Sequence, residues 1–300
     1  MSAVSLSGRE LAAHIRERAS ANVRDLSERA VFPRLGIVVA TADEATASYV
    51  RSIVRSAAKA QISCDVVDLG PGVSAGDVRD ALYKLSDDPG VHGIILQTPL
   101  PAGLSATDLA GAIDPAKDVD GANPVSLGRL LAGQEAFAPA TAQAVLALLD
   151  HHEVALAGRR VVVVGRSTVV GKPVAQLLLG RDATVTMCHS RTRDLAWHTR
   201  DAEVLVVAAG RAGMITGEHV RPASVVIDVG TNPDGAGGIV GDVDSAAVSP
   251  IIGALTPVPG GVGPVTAALL LGNTVRAAQW LWAAGDRPVP TSNGQKSLGQ

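Results

Sequence analysis

The sequence predicts an α/β fold in two domains, each built on a parallel sheet. Three observations predict it. Short apolar runs alternate with helical patterns along the chain, the order expected of parallel strands joined by helical crossovers. Val161-Val162-Val163-Val164 reads as a strand buried on both faces, and Gly165 breaks it at once. Of 300 residues, 47% are hydrophobic but only 2% aromatic, so Val, Leu, Ala and Ile must fill the core. That mixture suits helices packed closely on parallel strands, and the length allows about two domains.

The first half supplies the first sheet. Ser7-Gly8-Arg9-Glu10 reads as a capping box opening a helix to about Arg29, and Pro33 ends that segment. Leu35–Ala40 is a strand, Glu44–Ala60 a helix, Ser63–Leu69 a strand, Ala75–Leu85 a helix and Gly93–Gln97 a strand. Thr98-Pro99-Leu100-Pro101 then forces an extended turn. Ligands of open α/β sheets bind at the carboxyl ends of strands, so Gln97 is placed to face one, although a polar residue ending a strand is commonplace. Lys117-Asp118-Val119-Asp120-Gly121 is a charged turn, expected to be solvated surface. Pro139–His151 reads as a connecting helix.

The second half gives four more strands, Val161–Val164, Thr184–Cys188, Val204–Ala208 and Val225–Val229, with helices between them: a Rossmann-like domain. Strand, glycine and helix in succession point free backbone N–H groups at a phosphate, and Pro173 suits a first helical turn. The spacing departs from Gly-x-Gly-x-x-Gly, because Ser167 and Val170 stand where glycines would. An NAD site usually carries an acid at the end of the second strand. Here Cys188-His189-Ser190-Arg191-Thr192-Arg193 has none. Ser190 and Arg191, joined by Arg166, offer hydroxyl and guanidinium donors to a 2′-phosphate, which points to NADP. Thr256–Pro264 is a rigid Pro/Gly loop in which Gly260, Gly261 and Gly263 allow backbone to approach a ligand. The final helix, Val265 to about Ala284, returns to the first domain. The expected division is 1–140, completed by the helix 265–285, then 141–264, with 286–300 a disordered tail.

Composition excludes several classes. A net charge of −3 and seven aromatic residues (three Trp, two Tyr, two Phe) argue against a nucleic-acid partner. Cys64 and Cys188 form no disulfide framework and have no metal spacing. The histidines 14, 92, 151, 152, 189, 198 and 219 are scattered, so no metal is expected. No apolar run reaches membrane-span length, and the N-terminus lacks the apolar core of a signal peptide; a cytoplasmic location is expected.

Five stretches together carry a resemblance. They are Ala47-Ser48-Tyr49-Val50, Gln97-Thr98-Pro99-Leu100-Pro101, Lys117-Asp118-Val119-Asp120-Gly121, Gly165-Arg166-Ser167-x-x-Val170-Gly171-Lys172-Pro173 and Pro257-Val258-Pro259-Gly260-Gly261-Val262-Gly263-Pro264. On these the chain resembles the methylenetetrahydrofolate dehydrogenase/cyclohydrolase family. The resemblance implies a folate in a cleft between the two domains, with Tyr49 stacking along it, Asp120 accepting hydrogen bonds from the pterin and Gln97 orienting the reacting carbon. It implies that Pro259, Gly260 and Gly261 close over folate and nicotinamide. It also implies that Gly165, Arg166, Ser167, Val170, Gly171, Ser190, Arg191 and Thr231 hold NADP, and that the chain is a homodimer.

One departure stands out. The family pattern is Tyr-x-x-x-Lys, and the lysine serves the hydrolytic step; here the position is Ile53. Residues i and i+4 share a helix face, so Tyr49 and Ile53 are both expected to look into the cleft. Arg55 lies about 200° round the helix from Ile53, and a guanidinium stays protonated. Lys59 is too far along. Hydride transfer needs positioning, whereas opening a methenyl ring needs water attack and proton transfer, so Ile53 should impair cyclohydrolase far more than dehydrogenase. Pro139-Ala140-Thr141-Ala142 also stands for the family's Pro-Cys-Thr-Pro, and Gly121-Ala122-Asn123-Pro124 lacks the usual histidine. Retention of both activities, or a specialised paralogue that binds folate and NADP, are the alternatives.

Overall fold

The computed structural model describes residues 3–285; the tail expected to be disordered lies outside them. The elements of the first half are β1 (Val4–Ser5), α1 (Arg9–Ser27), β2 (Arg34–Val39), α2 (Glu44–Lys59), β3 (Ser63–Asp68), α3 (Ala75–Asp87), β4 (Gly93–Leu96), α4 (Ala106–Ala110), α5 (Pro124–Leu131) and α6 (Ala140–His151). Then follow β5 (Arg160–Val164), α7 (Gly171–Leu179), β6 (Thr184–Cys188), α8 (Leu195–Thr199), β7 (Val204–Val207), β8 (Val225–Asp228), β9 (Asn232–Pro233), β10 (Ile239–Val240), α9 (Ser245–Val248), β11 (Ala254–Leu255) and α10 (Val262–Gly285).

The fold is α/β in two domains, as expected. The first sheet is parallel, in the order β3-β2-β4, with Ile37 opposite both Val66 and Ile95. Its central strand alternates: Leu35, Ile37 and Val39 meet Val50, Ile53 and Ala57 of α2, while Val38 faces Val78 and Leu82 of α3. Gly36 is needed on the α3 face, because a Cβ there would stand 2.9 Å from Leu85. The helices begin where local chemistry lets them. Asp43 accepts from the Thr46 N–H at 2.7 Å, and Ser74 and Asp77 form a reciprocal capping box. The capping box expected at Ser7 is absent: the cap is Gly8, which has no side chain to offer. A backbone bond replaces it, Gly8 N–H donating to Gly260 O at 2.9 Å.

The second sheet has six strands rather than four, in the order β1-β11-β8-β7-β5-β6, all parallel. Residues 4–5, assigned from sequence to the first domain, are its edge strand, paired with 254–255. Two-residue strands carry too little periodicity to be read beforehand.

Three helices join the domains. α10 returns to the first domain as expected, but it starts at Val262, so Val262, Gly263 and Pro264 form its first turn rather than the end of a loop. Val262, Val265 and Ala268 pack into the core of the second domain with α6 and β5. Leu270, Leu271, Val275 and Ala278 pack into that of the first. Burying Leu270, Leu271 and Val275 contributes roughly 6 kcal/mol, well above the roughly 1 kcal/mol that Gly272 costs inside a helix. α1 packs beside Gly272, where a Cβ would meet Ile15 at 3.6 Å, an ordinary contact, so the packing there does not require glycine.

The charged turn is not solvated surface. Lys117 is 5% exposed and Asp118 fully buried. The Lys117 ammonium donates to the carbonyls of Ser86 (2.6 Å) and Asp88 (2.7 Å) at the end of α3, where a helix presents unpaired acceptors. The Asp118 carboxylate accepts from the N–H groups of Ala122 (3.0 Å) and Asn123 (2.9 Å). Both charges are spent on backbone, whereas Asp120, two residues on, stays half-buried.

Candidate functional site

The first-domain side of the site is built from α2, the carboxyl end of β4 and the turn before α5. Tyr49 sits on the second turn of α2, partly buried against the core of the first domain. Its phenol ionises less readily than usual, first because of burial and then because of the negative charge of Asp120 nearby. The structure thus brings Tyr49 and Asp120 together. Burial, followed by the neighbouring Asp118, pushes the Asp120 carboxyl up to about 7, against the opposing pull of the Ala140 N–H at the start of α6. Gln97 lies at the carboxyl end of β4, its N–H on Val38 O (2.9 Å) and its side-chain amide donating to Thr98 O (2.8 Å). The bond from Ile94 N–H to Lys117 O (2.8 Å) ties this strand to the Asp120 turn. Gly121, at φ +63°, is forced: a Cβ would collide with the backbone of Ala138 and Pro139.

Ile53 is not where it was expected. It is 1% exposed, within an apolar cluster that includes Ile37, Ile95 and Phe137. Four residues turn a helix through about 400°, leaving the side chain about 40° from Tyr49. An isoleucine takes that difference toward the sheet. It joins the core of the domain and does not line the cleft. Arg55 is exposed and off that face, and Lys59 is exposed in the last turn of α2.

On the cofactor side, Gly165 ends β5 at φ +131° and donates to Cys188 O at 2.8 Å. A Cβ on Gly165 would collide with Ala208 O, and one on Gly171 with Gly165 O. The two glycines let loop, strand end and helix start pack at backbone distance. Ser167 Oγ accepts from Gly171 N–H at 3.3 Å, and Val170 caps α7. The N–H groups of residues 166–170 donate to no described residue, which leaves a cradle of free donors at a helix N-terminus, the arrangement that fits a pyrophosphate. Val164 pairs with Cys188, so Arg166 and the exposed Ser190 and Arg191 project from neighbouring strand ends. His189 is structural: its N–H donates to Thr192 Oγ1 (2.9 Å) and its ring accepts from Arg191 N–H (3.2 Å). Thr231 follows β8 and shares the lining of a cavity of about 110 Å³ with Pro259, Gly260 and Gly261. Gly260, at φ +117°, holds the loop against the start of α1 through the Gly8 N–H.

Sequence reading missed a buried carboxylate pair below that loop. Asp228 is 3% exposed and accepts from Gly230 (2.9 Å), Asp242 (3.0 Å) and Val243 (3.0 Å) N–H groups. Burial carries its pKa up to about 6 even so. Asp242 accepts from Ala209 (2.6 Å), Gly210 (2.9 Å) and Arg211 (2.8 Å) N–H and from Asn232 (2.8 Å). Together they hold the loops after β7 and β8. A single acid closing the otherwise apolar Val-Val-Ile-Asp run was the available signal for Asp228; Asp242 gave none. Among the described residues no group of three or more His, Cys, Asp or Glu side chains could hold a metal ion. No described helix is long and apolar enough to cross a membrane.

Comparison with known proteins agrees with this geometry. Residues 6–120 match the catalytic domain of tetrahydrofolate dehydrogenase/cyclohydrolase, and residues 139–281 its NAD(P)-binding domain. The bifunctional protein FolD 1 of Saccharopolyspora erythraea is 63% identical over 91% of this chain and 93% of its own. That of Rhodococcus jostii is 60% identical, over 91% and 92%. Among solved structures, the bifunctional FolD of Campylobacter jejuni superposes with a TM-score of 0.88 at 36% identity, covering 92% of this chain and 98% of that one. The Trypanosoma brucei enzyme, complexed with NADP and an inhibitor, gives 0.89 at 35% identity, over 93% and 98%. With both halves matched in order, and relatives at 60% identity or more covering over nine-tenths of it, the chain belongs to the tetrahydrofolate dehydrogenase/cyclohydrolase family.

Proposed function

We propose that this protein oxidises 5,10-methylenetetrahydrofolate to the 5,10-methenyl compound with NADP, and that it hydrolyses the methenyl product poorly. The observation that carries the second half is Ile53, buried in apolar surroundings one helical turn from Tyr49. An alkyl side chain can neither accept nor deliver the proton that ring opening moves. No other described lysine is on that stretch of α2 until Lys59, about 9 Å further along the helix.

The dehydrogenase half asks less of the protein. NADP, when bound, would supply the hydride acceptor for the methylene carbon, the folate nitrogen giving the electron push. The chain's part is to hold the reactants in line. Tyr49 stacks along the folate, the carboxylate of Asp120 accepts from the pterin N–H groups, and Gln97 orients the reacting carbon. Pro259, Gly260 and Gly261 cover the nicotinamide side and exclude water. Gly165, Ser167, Val170, Gly171 and Thr231 bind the dinucleotide through backbone and hydroxyl groups. Arg166, Ser190 and Arg191 take the 2′-phosphate. Support for NADP over NAD is the lack of an acid after β6 together with two exposed guanidinium groups that, among the described residues, form no ion pair.

The deciding experiment is a paired assay on one preparation. NADP reduction with methylenetetrahydrofolate is expected, with methenyl hydrolysis near the uncatalysed rate. Because Ile53 packs in the core, Ile53→Lys should raise hydrolysis only where the longer side chain carries its ammonium out to the cleft, and should otherwise destabilise the domain by burying a charge. The relatives' names carry both activities, and rapid hydrolysis by the unmodified protein would return this chain to the bifunctional reading. We further propose a division at residues 140/141 and 264/265, a homodimer and a cytoplasmic location. The last is supported by two cysteines that form no disulfide.

A further inference from the structure

Three consecutive N–H groups, those of Ala209, Gly210 and Arg211, converge on one side chain. They donate to the carboxylate of Asp242 at 2.6, 2.9 and 2.8 Å. The turn after β7 is thus wrapped round an anion, and Gly210, at φ +65°, is the left-handed residue that aims successive donors at one point. Phosphates occupy such concavities in many nucleotide sites. Here the chain fills the concavity itself, with a carboxylate from 31 to 33 residues further on.

The turn lies in the middle of the cofactor side. Ala208 N–H donates to Val164 O (2.7 Å) and Val229 N–H to Val207 O (2.8 Å), so the carboxyl ends of β5, β7 and β8 stand side by side. Toward β5, Ala208 O lies where a Cβ on Gly165 would collide with it. Toward β8, Asp242 grips both neighbours of Thr231. It accepts from Asn232 Nδ2 at 2.8 Å, and a Cβ on Gly230 would collide with its carboxyl group. Asp242 is fully buried, and its own N–H is held by Asp228 Oδ1 at 3.0 Å. One carboxylate therefore sets the separation between the Gly165 loop and Thr231.

We infer that Asp242 is a positioning residue for the cofactor. It rests on the NADP reading of the Gly165 loop and Thr231 above. Fully buried, Asp242 acts through those two walls and not by contact. It also closes the second concavity, which leaves the N–H groups of residues 166–170 as the place for the pyrophosphate. Its side-chain partners all lie in the second domain, away from Tyr49, Gln97 and Asp120. The Thr256 hydroxyl that opens the Pro/Gly loop is bonded by Asp228 N–H instead (2.7 Å). Loss of Asp242 should therefore weaken cofactor binding selectively.

Asp242→Asn keeps the shape but offers one acceptor oxygen and one NH2 group. Whichever way the amide turns, two of the four donors lose their acceptor. Steady-state kinetics of the whole protein with NADP and methylenetetrahydrofolate should show KM for NADP raised about tenfold, with kcat and the folate KM within about twofold, the pattern of lost binding and not of lost active protein. Adding Asn232→Asp gives the new amide an acceptor and should recover most of the NADP affinity. Asn232→Ala removes only the bond beside Thr231 and carries the same test if Asp242→Asn does not fold, with KM for NADP up about threefold and the folate KM unchanged. An NADP KM that stays put in these single variants, a folate KM that rises in step with it, or a double variant no better than Asp242→Asn would overturn the positioning role alone. An unmodified protein that does not reduce NADP would overturn the cofactor reading and the role with it.

Discussion

The side-chain amide of Asn273 donates to the carbonyl oxygen of Val119 across 2.9 Å, joining the last helix of the chain to the residue before Asp120. The same amide reaches Gln143 Oε1 of α6 at 3.3 Å. One buried residue therefore fixes the Asp120 turn between two helices. Asn273→Leu should cost about 2 kcal/mol in chemical denaturation, because a buried carbonyl loses its donor. If Asn273 sets the position of Asp120, KM for the folate should rise several-fold more than kcat falls; an unchanged KM would confine its role to stability.

Asp120 gives the pH dependence. Its folded pKa, about 7, lies above its unfolded value near 3.8. The folded state then holds the proton more tightly, so stability on account of this group is greatest at low pH and falls as pH rises through 4 to 7. Asp120→Asn should stabilise the protein at pH 8, on the order of 2 kcal/mol after allowance for partial exposure, and leave it unchanged at pH 4. Binding runs the other way. The carboxylate is the acceptor, so KM for the folate should rise below pH 7 in the unmodified protein and be high at every pH in the variant. Thermal melts and steady-state kinetics from pH 4 to 8 would show both trends.

Cofactor choice can be tested at two neighbouring residues. Arg191→Ala should raise KM for NADP about tenfold and leave KM for NAD alone, since only NADP carries the phosphate. Adding Ser190→Asp should push preference toward NAD by placing an acid where a ribose 2′-OH would be read. Equal losses with both cofactors would mean that the turn acts through its shape.

Gly165 should tolerate no side chain. Alanine there faces both a φ of +131° and a collision with Ala208 O. Gly165→Ala is expected to cost more than about 3 kcal/mol and to weaken NADP binding beyond what the stability loss explains. Calorimetric titration at a temperature where the variant remains folded separates the two.

Some of this architecture could be read from residues alone. Val161–Val164 and Gly165 announced a buried strand and a tight turn because both demands are local: β-branching and a missing Cβ. The same holds for Asp43 and Ser74 at helix starts. Ile53 showed that a residue type had changed but not where its side chain goes, since a 40° difference round a helix is decided by what Phe137 and Ile95 offer it. Lys117 and Asp118 misled, because a run of charges looks alike whether it meets water or the carbonyls at the end of α3. Asp242 was invisible: its partners are the N–H groups of residues more than 30 positions earlier, and a backbone donor leaves no mark in the sequence.

The division of α10 between the two cores has a consequence for how the chain is made. The first 140 residues contain all three strands of their own sheet, yet Leu270, Leu271, Val275 and Ala278 complete that core from the far end. Val4 and Ser5 find their strand partners only at Ala254 and Leu255, far later in the chain. On the ribosome the first domain must therefore wait, with apolar surface uncovered, until α10 has emerged. Such late, long-range closure slows folding and lengthens exposure to aggregation. A fragment ending near residue 260 should stay open in both domains, whereas supplying residues 261–285 as a separate peptide should close them.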